Sequence, residues 1–182
     1  MAIAPRVALR EFTVADWVDV HAYASRPEVC RFQPWEPNTP DDARAFVEAA
    51  ITGAQKQPRT QFVLSVVLVG TTRVIGVGEL NIRIQSFRTG EIGLFLHPDY
   101  WQRGLGTEVA GQLLEMGFEH IGLHRIYATC DPRNTASARV LQKAGMTHEG
   151  RLRENMLIRD GWRDSDLYSI LEYEWRQTRP LQ

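Results

Sequence analysis

The sequence is short of several things, and each shortage excludes a class of protein. Two cysteines in 182 residues, Cys30 and Cys130, form no CxxC motif and no disulfide framework, which fits a reducing cytoplasm. Charge of one sign is missing. Lys and Arg number 21 and Asp and Glu 22, a formal net charge of −1, so no basic field is available for a nucleic acid or an anionic membrane. The longest apolar run, Phe62 to Val69, is broken by Ser65 and is far too short to span a bilayer. The opening MAIAPRVALREF lacks the apolar core of a secretory signal, so a cytoplasmic location is expected. Secreted, membrane-spanning and zinc-ribbon classes are thereby set aside. With 43% apolar and 24% charged residues the composition is that of a globular protein. A chain of this length buries roughly 70% of its unfolded surface without a staple, and one domain over residues 1–182 is expected.

Along the chain, periodicity changes several times. Val7 to Leu9 reads as a short strand. Thr13 followed by Asp16 resembles a capping box for a helix running towards Ala24. Arg26 to Pro40 holds four prolines and reads as a loop. Thr39-Pro40-Asp41-Asp42 then opens a second helix that fades near Gly53. Gln61 to Val69 and Val74 to Ile84 are β-branched runs joined by Gly70-Thr71-Thr72, as in a hairpin, and Glu91 to Leu96 reads as a further strand. Leu105, Val109, Leu113 and Met116 form one helical stripe reaching His120 and Gly122. Arg125 to Cys130 is another strand, and Asn134 caps a helix through Ala144 with Gly145 as its C′ residue. Thr147 to Trp175 reads as strands with a turn at Asp160-Gly161. Without a strict βαβ rhythm, the expected class is mixed α/β (α+β), a mixed sheet flanked by helices.

The segment EIGLFLHPDYWQRGLGT, residues 91 to 107, is the most informative. A strand leads into a loop whose Gln102-Arg103-Gly104-Leu105-Gly106-Thr107 stands at a helix start. Glycines there admit close approach of a ligand to the backbone. The free N–H groups and positive end of a helix suit a pyrophosphate, with Arg103 in reach of the same anion. A glycine-relieved turn explains the same hexapeptide without any ligand. Val109 occupies the third-glycine position of a GxGxxG fingerprint, and no GxxxxGK[ST] loop is present. His120 and His124 flank Gly122 with no acidic partner in HExxH fashion, so no metal is expected, and no GxSxG elbow offers a serine nucleophile. Asn134 and Ser137 fall in the first turn of their helix. Each taken alone is an N-cap or an ordinary first-turn residue.

Together the two segments resemble the GNAT acetyltransferase superfamily. The Gln102-Arg103-Gly104 loop is followed some thirty residues on by Asn134-x-x-Ser137-x-x-Val140-x-x-Lys143-x-Gly145-Met146. HPDYWQRGLGTE, the LREFTVADW of residues 9–17, and the tail with Gly150-Arg-Leu-Arg-Glu154, Arg159-Asp-Gly-Trp-Arg-Asp164 and Tyr168-Ser-Ile-Leu are similar to its ribosomal-protein alanine N-acetyltransferases (the RimJ/RimL type). The likeness covers nearly the whole chain.

That resemblance implies a largely antiparallel twisted sheet with a splayed parallel pair holding acetyl-CoA as co-substrate. It implies pantetheine contacts at Phe95 and Leu96, pyrophosphate on the backbone of Gln102, Arg103, Gly104, Leu105, Gly106 and Thr107, and a pantetheine contact from Asn134. Glu91 matches a glutamate used as base in several members. Leu141 stands where many members carry a tyrosine acid, so the branch's serine, here Ser137, takes that role. Strand alternation places Glu91, Gly93 and Phe95 on one face, Phe95 N–H is a candidate oxyanion donor, and Glu79 is a second candidate base. The expected acceptor is a primary amine, either a protein N-terminus or a small molecule, in a cleft flanked by Phe32–Pro37 and the hairpin around Trp162. No nucleic acid or membrane partner is expected, and homodimers are common in the family. A non-catalytic acyl-CoA-binding domain is the competing class.

Overall fold

The computed structural model describes residues 4–178. Its seven strands are β1 (Val7–Arg10), β2 (Gln61–Leu68), β3 (Val74–Ile84), β4 (Thr89–Leu96), β5 (Arg125–Cys130), β6 (Thr147–Ile158) and β7 (Gly161–Leu171), ordered β1-β2-β3-β4-β5-β7-β6. Every neighbouring pair is antiparallel except β4 and β5. Those two run parallel for only three register pairs, Thr89–Arg125, Gly90–Ile126 and Glu91–Tyr127. Beyond Glu91 they part, with β4 continuing to Leu96 and β5 to Cys130.

Helices cover both faces: α1 (Trp17–Ala24), α2 (Pro27–Cys30), α3 (Pro40–Ala54), α4 (Leu105–Glu115), α5 (Thr135–Lys143) and α6 (Glu172–Gln177). On one face Leu80, Ile92, Leu96, Ile126 and Ile170 pack with Val109 and Leu113 of α4 and Trp175 of α6. On the other Val77, Val63 and Phe95 pack with Val20 and Tyr23 of α1 and Ala43 and Val47 of α3.

Local chemistry explains the helix starts. Thr39 and Asp42 bond reciprocally around the first turn of α3, where Pro40 has no N–H to lose. Before α1, Asp16 accepts from Thr13 N–H (2.7 Å) and both Nη atoms of Arg10, so the capping box is also tied to β1. Burial alone would raise the Asp16 carboxyl, but these bonds hold it below the usual carboxylate range. Gly145, at φ +90°, follows α5 as its C′ residue.

Two expectations are corrected. The proline-rich stretch from Arg26 contains α2, because Pro27 takes the first helical position, where proline is tolerated. The tail is not strand as far as Trp175. It turns helical at Glu172, where Glu174 accepts from Leu171 N–H (2.8 Å), and this helix buries Trp175 against Phe118. The helix opened at Leu105 does reach the foreseen end, but its last turns, Met116–Ile121, are π-helical and stop at Gly122 with φ +75°.

Candidate active site

The gap between β4 and β5 has a defined chemistry because antiparallel hydrogen bonds alternate along a strand. His97 N–H donates to Ile75 C=O at 2.7 Å, which fixes the parity. Phe95, Gly93 and Glu91 therefore spend their backbone groups on β3, while Leu96, Leu94 and Ile92 turn theirs towards β5. The indole of Trp101 confirms the direction by donating to Leu96 C=O at 2.7 Å. This corrects the expectation for Phe95. Its N–H faces β3 and is not an oxyanion donor, and the backbone lining the gap belongs to Leu94 and Leu96. Phe95 contributes its ring instead.

The N-terminus of α4 closes one end of the gap. Gly104, at φ +77°, is its N-cap, and Gln102 is also left-handed at φ +58°, a conformation costing a non-glycine residue roughly 1–2 kcal/mol. The first intrahelical bond is donated by Glu108 N–H to Gly104 C=O (3.3 Å), so the N–H groups of Leu105, Gly106 and Thr107 point out of the helix end. A Cβ on Gly106 would come within 3.2 Å of Val140 on α5 and 3.7 Å of Leu94, which shows how tightly the two motif segments meet. Arg103 is exposed, with its guanidinium 5.6 Å from the Tyr100 ring. Sequence reasoning missed Arg6. Its Nη1 holds Arg103 C=O at 2.9 Å and its Nε pairs with Glu108 at 3.2 Å, so it anchors the loop and adds positive charge beside it.

These groups fit a pyrophosphate and a pantetheine arm: outward N–H groups at a positive helix end, then amide-lined strand edges leading inward. Gly104→Val is expected to abolish the rise in melting temperature that CoA produces in the wild-type protein. The side chain would be strained at φ +77° and would stand in contact with Arg6 Nη2, 3.4 Å from the new Cβ, on the loop that would meet the pyrophosphate. Differential scanning fluorimetry with CoA checks this, and an unchanged shift would place the cofactor elsewhere.

Asn134 Oδ1 accepts from Ser137 N–H at 3.1 Å, so its oxygen caps α5 and only its amide NH₂ remains to donate. The Ser137 hydroxyl lies against the thiol of Cys130, whose pKa burial pushes up to about 11. Both cysteines are free and buried.

The opposite sheet face carries the carboxylates. Glu79, Gly93, Glu91, Phe95 and Tyr127 share it, since Glu79 pairs with Gly93 and Glu91 with Tyr127. Nothing lies within 4 Å of where a Gly93 side chain would begin, so the strand is bare where the two strands part. Glu91 is held by Arg83 through Nε (2.7 Å) and Nη2 (2.6 Å), with Tyr127 Oη at 3.4 Å. Glu79 is half-buried beside that bare spot, and burial, then the neighbouring Glu91, push its carboxyl above the usual range. Tyr23 of α1, 2% exposed, makes no hydrogen bond through its hydroxyl among the described residues, and burial together with Glu79 holds it in the phenol form.

The segment from Phe32 roofs this face. Trp35 meets the Phe95 ring edge-on at 5.9 Å, and Glu36 reaches Arg159 of the β6–β7 turn at 3.1 Å. Trp162 does not join them. Its strand parity turns it to the other face, 64% exposed. Of two open grooves, the one of about 670 Å³ beside Phe62 and Met116 is lined by none of the residues named for this gap, and the one of about 690 Å³ beside Pro5 and Trp175 only by Arg6 and Glu108. No cluster of metal-ligating residues occurs among the described residues, and no helix there is long and apolar enough to cross a membrane.

Residues 6–147 match the family model of the acetyltransferase (GNAT) domain. An uncharacterized N-acetyltransferase of Bacillus subtilis (strain 168), YnaD, is 36% identical over 174 residues, covering 93% of this chain and 96% of its own. A solved GNAT-family acetyltransferase from Bacillus anthracis superposes with a TM-score of 0.81 at 33% identity, over 94% of this chain and 98% of its own. The ribosomal-protein-S5-alanine acetyltransferase of Vibrio fischeri gives a TM-score of 0.81 over 98% of each chain, but at 23% identity that is a likeness of fold alone. The chain therefore belongs to the GNAT acetyltransferase family as an acetyl-CoA-dependent N-acetyltransferase.

Proposed function

We propose that the protein acetylates a primary amine, a protein N-terminal α-amine or a small-molecule amine, that reaches the thioester over Gly93 and loses its proton to Glu79. One observation carries this reading: the bare strand at Gly93 lies directly across from Glu79, a carboxyl whose pKa burial raises. Glu91, the family-matched glutamate, is instead committed to an ion pair with Arg83. Its role is to raise the Glu79 pKa and to position Tyr127.

Acetyl-CoA supplies an acyl carbon open to attack by a neutral amine. The α4 terminus binds the pyrophosphate, and the Leu94 and Leu96 backbone holds the arm in the gap. Trp35, Phe95 and Tyr23 exclude water around the acceptor nitrogen. An ammonium ion with a pKa of about 8 cannot attack, so Glu79 takes its proton, directly or through one water.

Ser137 is proposed to protonate the departing thiolate. Ser137→Ala is expected to leave acetyl-CoA affinity near wild type and to slow turnover by about 10²-fold. Steady-state kinetics with a good acceptor check this, and turnover within about twofold of wild type would reduce Ser137 to a first-turn residue. The function itself is tested by incubating the protein with acetyl-CoA and a panel of amines and N-terminal peptides. CoA thiol and acetylated amine should appear in equal amounts. Thiol release that does not depend on any amine would contradict the reading.

A further inference from the structure

Next to outward-facing Trp162, Arg163 points the other way. Ser169 pairs with Tyr127 and Tyr127 with Glu91, so alternation along β7 puts Ser169, Leu167, Ser165 and Arg163 on the face that carries Gly93 and Glu79. Because β7 runs antiparallel to β5 and Cys130 pairs with Asp166, Arg163 lies past the end of β5, on the side to which the β4–β5 gap opens.

Arg163 is 9% exposed and, although Asp131 attracts it from a distance, no carboxylate forms an ion pair with it among the described residues. Nη1 donates to Ser165 Oγ and to Asp164 C=O, each at 3.3 Å, and Nη2 to Met156 Sδ at 3.1 Å. Nε is screened from solvent and has no partner. The nearby carboxylates are committed elsewhere. Asp131 is gripped by Arg133 at 2.7 and 2.9 Å, Asp164 accepts from Glu154 N–H, and Asp166 pairs with Arg151. A buried guanidinium facing a thioether, a hydroxyl and a carbonyl is costly, and its planar fork is shaped for a carboxylate or phosphate.

We infer that Arg163 receives an anionic group of the acceptor, so that the substrate class is a primary amine which also carries a carboxylate or a comparable anionic oxygen group. This rests on the acetyl-transfer reading above and narrows it. The amine lies over Gly93 near Glu79, and the anion reaches towards the β6–β7 hairpin under the Phe32–Glu36 roof. A polyamine, which presents a second ammonium to the buried cation, is disfavoured.

The test uses ω-amino acids of increasing length, the matching alkylamines, and spermidine. In the wild-type protein kcat/KM should favour one length of ω-amino acid over its alkylamine by about tenfold or more. Arg163→Met should bring that ratio to about one without lowering the melting temperature, and Arg163→Lys should restore part of it. Equal rates for the two series, or preference for spermidine, would overturn the inference. So would a raised KM for acetyl-CoA in Arg163→Met with acceptor preference unchanged, which would assign the guanidinium to the cofactor. Binding is read separately. With CoA present, the preferred ω-amino acid should raise the wild-type melting temperature and not that of Arg163→Met. If that shift appears but no amine is acetylated, the acetyl-transfer reading fails while the anion site stands. If the shift is absent, or is the same in both proteins, the anion site fails.

Discussion

Glu79→Gln is expected to lower kcat/KM by about 10²-fold or more while acetyl-CoA affinity stays near wild type. The substitution keeps the shape of the side chain and removes only its basicity. The same change should leave the fold no less stable at neutral pH. The Glu79 carboxyl is raised above its ordinary value by burial, so its favourable contribution is complete below the unfolded pKa, near 4.5, and is lost as pH rises through the higher folded value. Burial therefore disfavours the charged form of Glu79 in the native protein, and a neutral glutamine escapes that cost. A large fall in activity with an unchanged or higher melting temperature is the expected pair of results. Comparable falls in both would mean that Glu79 is a packing residue.

Gly93→Val should be still more damaging to catalysis and harmless to folding. Gly93 is central in the sheet, its φ does not require glycine, and nothing lies within 4 Å of a new Cβ. A β-branched residue suits that position better than glycine, which costs conformational entropy in a strand. The added methyl groups would occupy the place over which the amine is proposed to reach the thioester. A misplacement of about 1 Å there costs about 10²-fold in rate, and outright exclusion costs more. Circular dichroism and thermal melts should match wild type while turnover with any amine is lost. Wild-type turnover in Gly93→Val would show that the acceptor enters elsewhere.

The parts legible in the sequence were those with local signals. Gly104 before Leu105, the Asn134 cap and Gly145 stop of α5, and the Thr39–Asp42 box each act within a few residues, and each marks its element correctly. What escaped depends on distant register. Phe95 and Leu96 look interchangeable until the His97–Ile75 bond sets which of them faces the gap. Glu91 and Glu79 are both strand carboxylates. Only the β3–β4 pairing brings Arg83 onto Glu91 and bare Gly93 opposite Glu79. On β7 the conspicuous side chain was Trp162, whereas parity directs Arg163 inward, and a register drawn from the Asp160-Gly161 turn could have found it. Arg6 and Tyr23 had no local signal at all, because their partners at Arg103 and Glu79 lie far away in the chain. The tail helix was missed because Tyr173 and Trp175 carry strand propensity, and the Glu174 cap on Leu171 overrides it.

The most direct measurement is the pH dependence of kcat/KM for one α-amine acceptor in wild type, Glu79→Gln and Glu91→Gln. An acidic limb is expected in wild type, set by a carboxyl whose pKa burial raises above its ordinary value. In Glu79→Gln that limb should vanish, leaving only the ionisation of the amine. In Glu91→Gln it should persist but move to lower pH, because the negative charge that raises Glu79 is gone and Arg83 is released. A limb that survives in Glu79→Gln and disappears in Glu91→Gln would make Glu91 the base and exclude Glu79.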